Sequence, residues 1–98
     1  MRTIKQFSSK TQKVYFYFKD TTICKLFYEN AEKEGISFCG EKPTEKEPTD
    51  IVALLPTSEI CYVGWAGRMC YNNCKDGVIR IDYAKYLAGD FPYLITRQ

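Results

Sequence analysis

Ile51-Val-Ala-Leu-Leu-Pro-Thr-Ser-Glu-Ile-Cys-Tyr-Val-Gly-Trp65 is the stretch from which the fold can be read. Its first five residues form an unbroken apolar run of strand length, the pattern of a central strand buried on both faces. Pro56-Thr-Ser-Glu59 has turn chemistry, and Ile60 to Trp65 returns as a partner strand, so 51–65 reads as a β-hairpin. Gly64 and Gly67 interrupt the chain at the end of that strand, as at a bulge or where another backbone or a ligand comes close. Met69 to Asn72 is read as a resumed strand.

Upstream, Val14-Tyr-Phe-Tyr-Phe18 is a β-branched and aromatic run that reads as a second strand. Val14, Phe16 and Phe18 share its inner face, and Tyr15 and Tyr17 form an outer face whose phenols can reach water. Asp20 or Thr21 caps a helix, because a short oxygen-bearing side chain accepts a bond from an otherwise unpaired helical N–H. Ile23, Phe27 and Ala31 recur at i, i+4 and i+8, flanked by Cys24, Leu26 and Tyr28, and Gly35 supplies a left-handed stop. Ile36 to Cys39 reads as a short strand. Glu41 to Asp50, with Pro43 and Pro48 among charges, reads as a loop long enough to be a contact surface.

Downstream, Asn72-Asn-Cys-Lys-Asp-Gly77 is a turn and Val78-Ile-Arg-Ile81 a last strand. Asp82 caps a short helix with Tyr83, Tyr86 and Leu87 on one side, stopped at Gly89, and Phe91 to Ile95 is apolar enough to pack back on the body. The order describes one α+β domain over 1–98, with residues 1–12 as a polar, flexible arm. Its sheet is mainly antiparallel with four to five strands, its main helix covers about 21–34 and its short C-terminal helix about 83–88.

The composition limits the chemistry. Hydrophobic residues make up 45% of the 98 positions and aromatics 15%, enough to fold without a partner. A net charge of +2 gives no field that argues for nucleic acid or an anionic membrane, and neither is expected as a partner. With no histidine, Ser-His-Asp and Cys-His catalysis and imidazole metal ligands are excluded. Asp20 and Asp82 are accounted for as caps, so paired-carboxylate catalysis has little to work with. No apolar run approaches the roughly 20 residues of a membrane span, and the N-terminus lacks a secretory h-region, so a soluble cytoplasmic protein is expected.

Cysteines stand at 24, 39, 61, 70 and 74, an odd set without framework spacing, which suits reduced thiols rather than structural disulfides. Cys24 and Cys61 read as buried small hydrophobes. Cys70 and Cys74 are too few for a zinc site, although Arg68 and Lys75 beside them could lower a thiol pKa. No cofactor and no metal are expected.

If the chain has a site, it lies in Ile60 to Gly77, which holds the only tryptophan, three cysteines and a Gly-Trp-Ala-Gly step. That step is not a phosphate loop, since it lacks the G-x4-G-K-[ST] pattern. Its simplest reading has Trp65 as the largest core side chain and Arg68 as an exposed charge. The alternative is a binding surface of Tyr62, Gly64, Trp65, Gly67, Arg68, Tyr71 and Lys75, where a ring stacks on indole and guanidinium meets an anion. Glu45 and Glu47, in the 41–50 loop, are added as acidic partner-binding residues.

Ile51 to Leu55, Cys61-Tyr-Val-Gly64, Gly67-x-Met69, Arg80-Ile-Asp-Tyr83, Tyr86, Gly89 and Tyr93-Leu-Ile95 give a spacing that resembles small uncharacterised cytosolic proteins of low-GC Gram-positive bacteria and their prophages. The likeness spans roughly 13–95 and contains no catalytic motif. It implies a bacterial or phage accessory protein.

Three functions stand as expectations. The first is a non-enzymatic binding protein, phage-borne, that inhibits a bacterial defence system by protein–protein contact; an anti-CRISPR inhibitor whose acidic loop mimics nucleic-acid charge is one form. The second is a protein that sequesters a nucleotide or another small ligand. The third is a cysteine-dependent redox protein relying on Cys70 or Cys74. A monomer or homodimer serves any of them.

Overall fold

The computed structural model describes residues 3–8, 13–65, 68–69, 71, 78–90 and 92–95. Its elements are β1 (Lys13–Tyr17), α1 (Thr21–Lys33), β2 (Ser37–Phe38), β3 (Ile51–Leu54), β4 (Glu59–Tyr62), β5 (Val78–Asp82) and α2 (Tyr83–Ala88). The strands form one sheet in the order β2-β4-β3-β1-β5, which places β3 at its centre, as its unbroken apolar run requires. Together they make a single small α+β domain.

The hairpin forms as read. Leu54 lies opposite Ile60 and Val52 opposite Tyr62, and the turn closes through Leu55 N–H to Glu59 O at 2.7 Å. β1 runs antiparallel on the other side of β3, pairing Phe16 with Val52. The outer strands are added in parallel, β5 beside β1 with Ile81 opposite Phe16, and β2 beside β4 with Phe38 opposite Ile60. The sheet is therefore mixed: an antiparallel centre with parallel edges, each edge strand reached by a connection that leaves the sheet and returns.

α1 is set by local chemistry. The Asp20 carboxylate accepts from Ile23 N–H at 2.9 Å, and after the last turn Gly35 takes a φ of +78°, which no side chain opposes. Cys24, Phe27, Tyr28 and Ala31 face the core, whereas Leu26 is partly exposed. Phe27 sits among Phe16, Phe18 and Tyr83, each ring centroid 4.9 Å away. α2 is capped in the same way by Asp82, and Gly89 ends it at a φ of +84°. Tyr83 and Tyr86 point inward, but Leu87, grouped with them by spacing, is exposed.

Two expectations change. Tyr15 is buried, not at a wet boundary, because Tyr71 packs edge-on to it at 5.8 Å from the far side of the sheet. Residues 3–8, assigned by composition to a flexible arm, are docked. Glu34 accepts from the N–H groups of Ile4 and Lys5 at 2.8 and 3.0 Å, Tyr86 donates its phenol proton to Thr3 O at 2.8 Å, and Ile4 is 1% exposed. Of the C-terminal stretch, Tyr93 and Ile95 do pack back, with Asp82 N–H donating to Tyr93 O and Ile95 N–H to Arg80 O, while Phe91 lies outside the described residues.

Candidate functional site

β4 ends at Tyr62, whose ladder partner is Val52, one residue short of the start of β3 at Ile51. The chain turns helical instead. Trp65, Arg68, Met69 and Tyr71 are in helical conformation, and Arg68 N–H donates to Gly64 O at 2.9 Å. This corrects two expectations, a strand continuing to Trp65 and another resuming at Met69. No part of the described chain crowds Gly64: a Cβ there would meet nothing within 4 Å. Gly67, Lys75, Cys70 and Cys74 lie outside the described residues.

Trp65 is 80% exposed, so it is not a core residue at all. Met69, four positions on, shares its side of a helical turn and is 47% exposed, and Tyr62 is 45% exposed. An exposed indole of this size gives up hydrophobic stabilisation that a core position would supply.

Arg68 turns to another side and holds Asp50 with two bonds, Nη2 to Oδ1 at 2.8 Å and Nη1 to Oδ2 at 3.2 Å. Those bonds hold the Asp50 carboxyl below the ordinary carboxylate range and push the guanidinium pKa up. The pair anchors the Trp65 segment to the residue just before β3. Tyr71 is a second anchor. Its ring meets Tyr15 on one side and carries the Arg80 guanidinium 5.1 Å from its centroid, while Arg80 Nη1 donates to Tyr71 O at 3.2 Å. Arg80 is only 6% exposed, and burial pushes the Tyr71 phenol pKa up.

The 41–50 loop belongs to the same region. Glu47 O accepts from both Tyr28 and Tyr62 phenols at 2.9 Å, and the Glu32 carboxylate accepts from Thr44 Oγ1 at 2.7 Å. Pro43 is buried in a 3-10 turn over Pro43–Glu45. Part of the loop's charge is already paired, internally by Lys46 with Glu41 at 2.8 Å and outward by Asp50 with Arg68. Glu45 and Glu47 are exposed.

Of the residues predicted from sequence, Tyr62, Arg68 and the loop bearing Glu45 and Glu47 are thus brought together, with Trp65 standing out beside them. Tyr71 serves as packing underneath. Sequence reasoning missed Met69, Asp50 and Arg80. The i, i+4 spacing of Trp65 and Met69 was a readable signal for the first; the pairing of Arg68 with Asp50 had none, because it is set by tertiary placement. A cavity of about 490 Å³ lies elsewhere, lined by Tyr17, Tyr71, Asp82, Lys85 and Leu94, and contains neither Trp65 nor Arg68.

Among the described residues, Cys24, Cys39 and Cys61 are free thiols, with Cys24 buried, Cys61 half-buried and Cys39 exposed. No group of three His, Cys, Asp or Glu side chains among them could hold a metal ion, and no helix among them is long and apolar enough to cross a membrane. The chain matches no family model, no curated protein and no solved structure.

Proposed function

We propose that the chain is a non-enzymatic binding protein that acts by protein–protein contact, with Trp65, Met69 and Tyr62 as its apolar anchors and Glu45 and Glu47 at their rim. The observation that carries this reading is Trp65, 80% exposed on a helical turn that Arg68 ties to Asp50. Tryptophan, tyrosine and methionine are enriched where proteins meet, and it is the grouping of Trp65, Met69 and Tyr62 within one short segment, not the exposure of any one of them, that supports a contact surface. Trp has two side-chain torsions, so holding it in place before binding leaves little entropy to lose.

A nucleotide-sequestering site is supported less well. The guanidinium that would meet phosphate is occupied by a carboxylate, and an anion approaching Arg68 would meet Asp50 as well. The narrower form, a phage-borne inhibitor of a bacterial defence system, draws its support from the spacing resemblance. Charge reversal at Glu45 and Glu47 tests its nucleic-acid-mimicry version: weaker partner binding is expected, and unchanged affinity removes that version. For the contact surface itself, Trp65→Ala is expected to weaken a captured partner by about 2 kcal/mol or more, the size of an anchor residue.

A further inference from the structure

Cys39, at the end of the edge strand β2, and Cys61, in the neighbouring strand β4, are brought together by strand register. Phe38 in β2 and Ile60 in β4 are parallel ladder partners, so the next residues along are Cys39, just past the end of β2, and Cys61, still within β4. Adjacent strands run about 4.8 Å apart, inside the Cα separation that a disulfide bridges. The Cys39 Sγ lies 3.6 Å from Ile60 O, the carbonyl directly preceding Cys61.

Cys39 also occupies an unusual backbone position. It and Gly40 have φ of +52° and +87°, and Phe38 and Glu41 exchange backbone hydrogen bonds at 2.7 and 3.0 Å, so the two form the centre of a type I′-like turn. Asn-Gly is the usual occupant of such a turn, because Asn tolerates the left-handed region better than other side chains. Here a thiol takes that position. The turn presents Cys39 to solvent, while Cys61 is half-buried beside it. Burial, and after it the neighbouring Cys39, push the Cys61 thiol pKa up.

We propose that Cys39 and Cys61 are the two halves of a reversible disulfide that fastens the β2 edge to β4. The oxidant is a small-molecule disulfide of the glutathione class. The exposed Cys39, as thiolate, attacks one sulfur of glutathione disulfide, breaks its S–S bond and releases one glutathione thiolate, which takes up the proton that Cys39 gave to solvent. Cys61, after losing its own proton, attacks Cys39 Sγ in the mixed disulfide and releases the second glutathione. Two protein thiols are oxidised by two electrons, and one glutathione disulfide is reduced to two thiols. The bond forms one residue from Tyr62, whose ring packs on Phe38 at 4.7 Å, so it fixes the edge next to the proposed contact surface.

The test is to equilibrate the reduced full chain in glutathione redox buffers, alkylate the remaining thiols, digest without reductant and map peptides by mass spectrometry. The expected result is a Cys39–Cys61 linked peptide, lighter by two hydrogens, with Cys24 alkylated only after denaturation. Cys61→Ser is expected to trap glutathione on Cys39, and Cys39→Ser to abolish the linkage. A stable glutathione adduct on Cys39 of the unsubstituted protein with Cys61 alkylated, linkage of Cys39 to Cys70 or Cys74, or no oxidation of either cysteine would each overturn the proposal.

Discussion

Arg68 and Asp50 form a two-pronged ion pair, 2.8 and 3.2 Å, that joins the helical turn carrying Trp65 to the start of the central strand. Both side chains are substantially exposed, so the pair positions the turn without adding much stability. Arg68→Ala is expected to lower the unfolding free energy by less than about 1 kcal/mol, an effect that shrinks further in high salt. The same change should let the Asp50 carboxyl titrate upward toward its ordinary range. Because the folded pKa is depressed, the pair's contribution is present above the unfolded-state value and disappears as pH falls through the folded one. Carboxyl-detected NMR titration of the two proteins checks both statements.

Trp65 should report water, not protein. Its emission is expected to be red-shifted and readily quenched by acrylamide in the native state, and to change little on unfolding. Trp65→Ala should alter stability by no more than about 0.5 kcal/mol, as for an exposed position away from caps and cores. A blue-shifted, protected emission would mean that the indole is covered.

Phe27 is the opposite case, fully buried with the rings of Phe16, Phe18 and Tyr83 each 4.9 Å from its own. Phe27→Ala is expected to cost about 3–5 kcal/mol through lost burial and a residual cavity. That is a large share of the roughly 5–15 kcal/mol that stabilises a typical domain. Urea denaturation with a fixed m-value would measure it.

Alkaline pH should unfold the protein through its buried phenols. Burial pushes the Tyr83 pKa up, although the bond from Asn30 pulls slightly the other way, and burial, with Cys24 next, pushes Tyr28 up further. An acid whose folded pKa is raised stays neutral in the native state while the unfolded chain ionises near pH 10, so stability is complete below about pH 10 and falls as pH rises beyond it. Denaturation midpoints measured from neutral pH upward should be flat and then decline. Tyr83→Phe should make the decline shallower; an identical slope would assign it to other groups.

How much of the fold could be read in the chain depends on how local each decision is. α1 was legible because its cap, its apolar stripe and its stop all lie between Asp20 and Gly35, and each has one physical meaning. The 51–65 hairpin was legible for the same reason up to Tyr62. The parallel edges were not, because the pairing of β1 with β5 is chosen by tertiary packing between segments far apart in the chain. Nor was the fate of Trp65. A tryptophan carries the same hydrophobicity whether the fold buries it or displays it, and where β4 gives way to a helical turn is decided by tertiary packing. Tyr15 was misread for a related reason: alternation identified the second face of the sheet, but the cover that Tyr71 provides comes from a distant turn.

Whether Trp65 and Met69 anchor a protein contact is tested most sharply by quantitative capture from a bacterial lysate under reducing conditions, read by native mass spectrometry. The unsubstituted protein is compared with a Trp65→Ala, Met69→Ala variant of matched thermal midpoint. One partner at fixed stoichiometry is expected on the unsubstituted protein, and its loss from the variant. Equal retention by both, or a small-molecule adduct with no protein partner, would refute the contact surface.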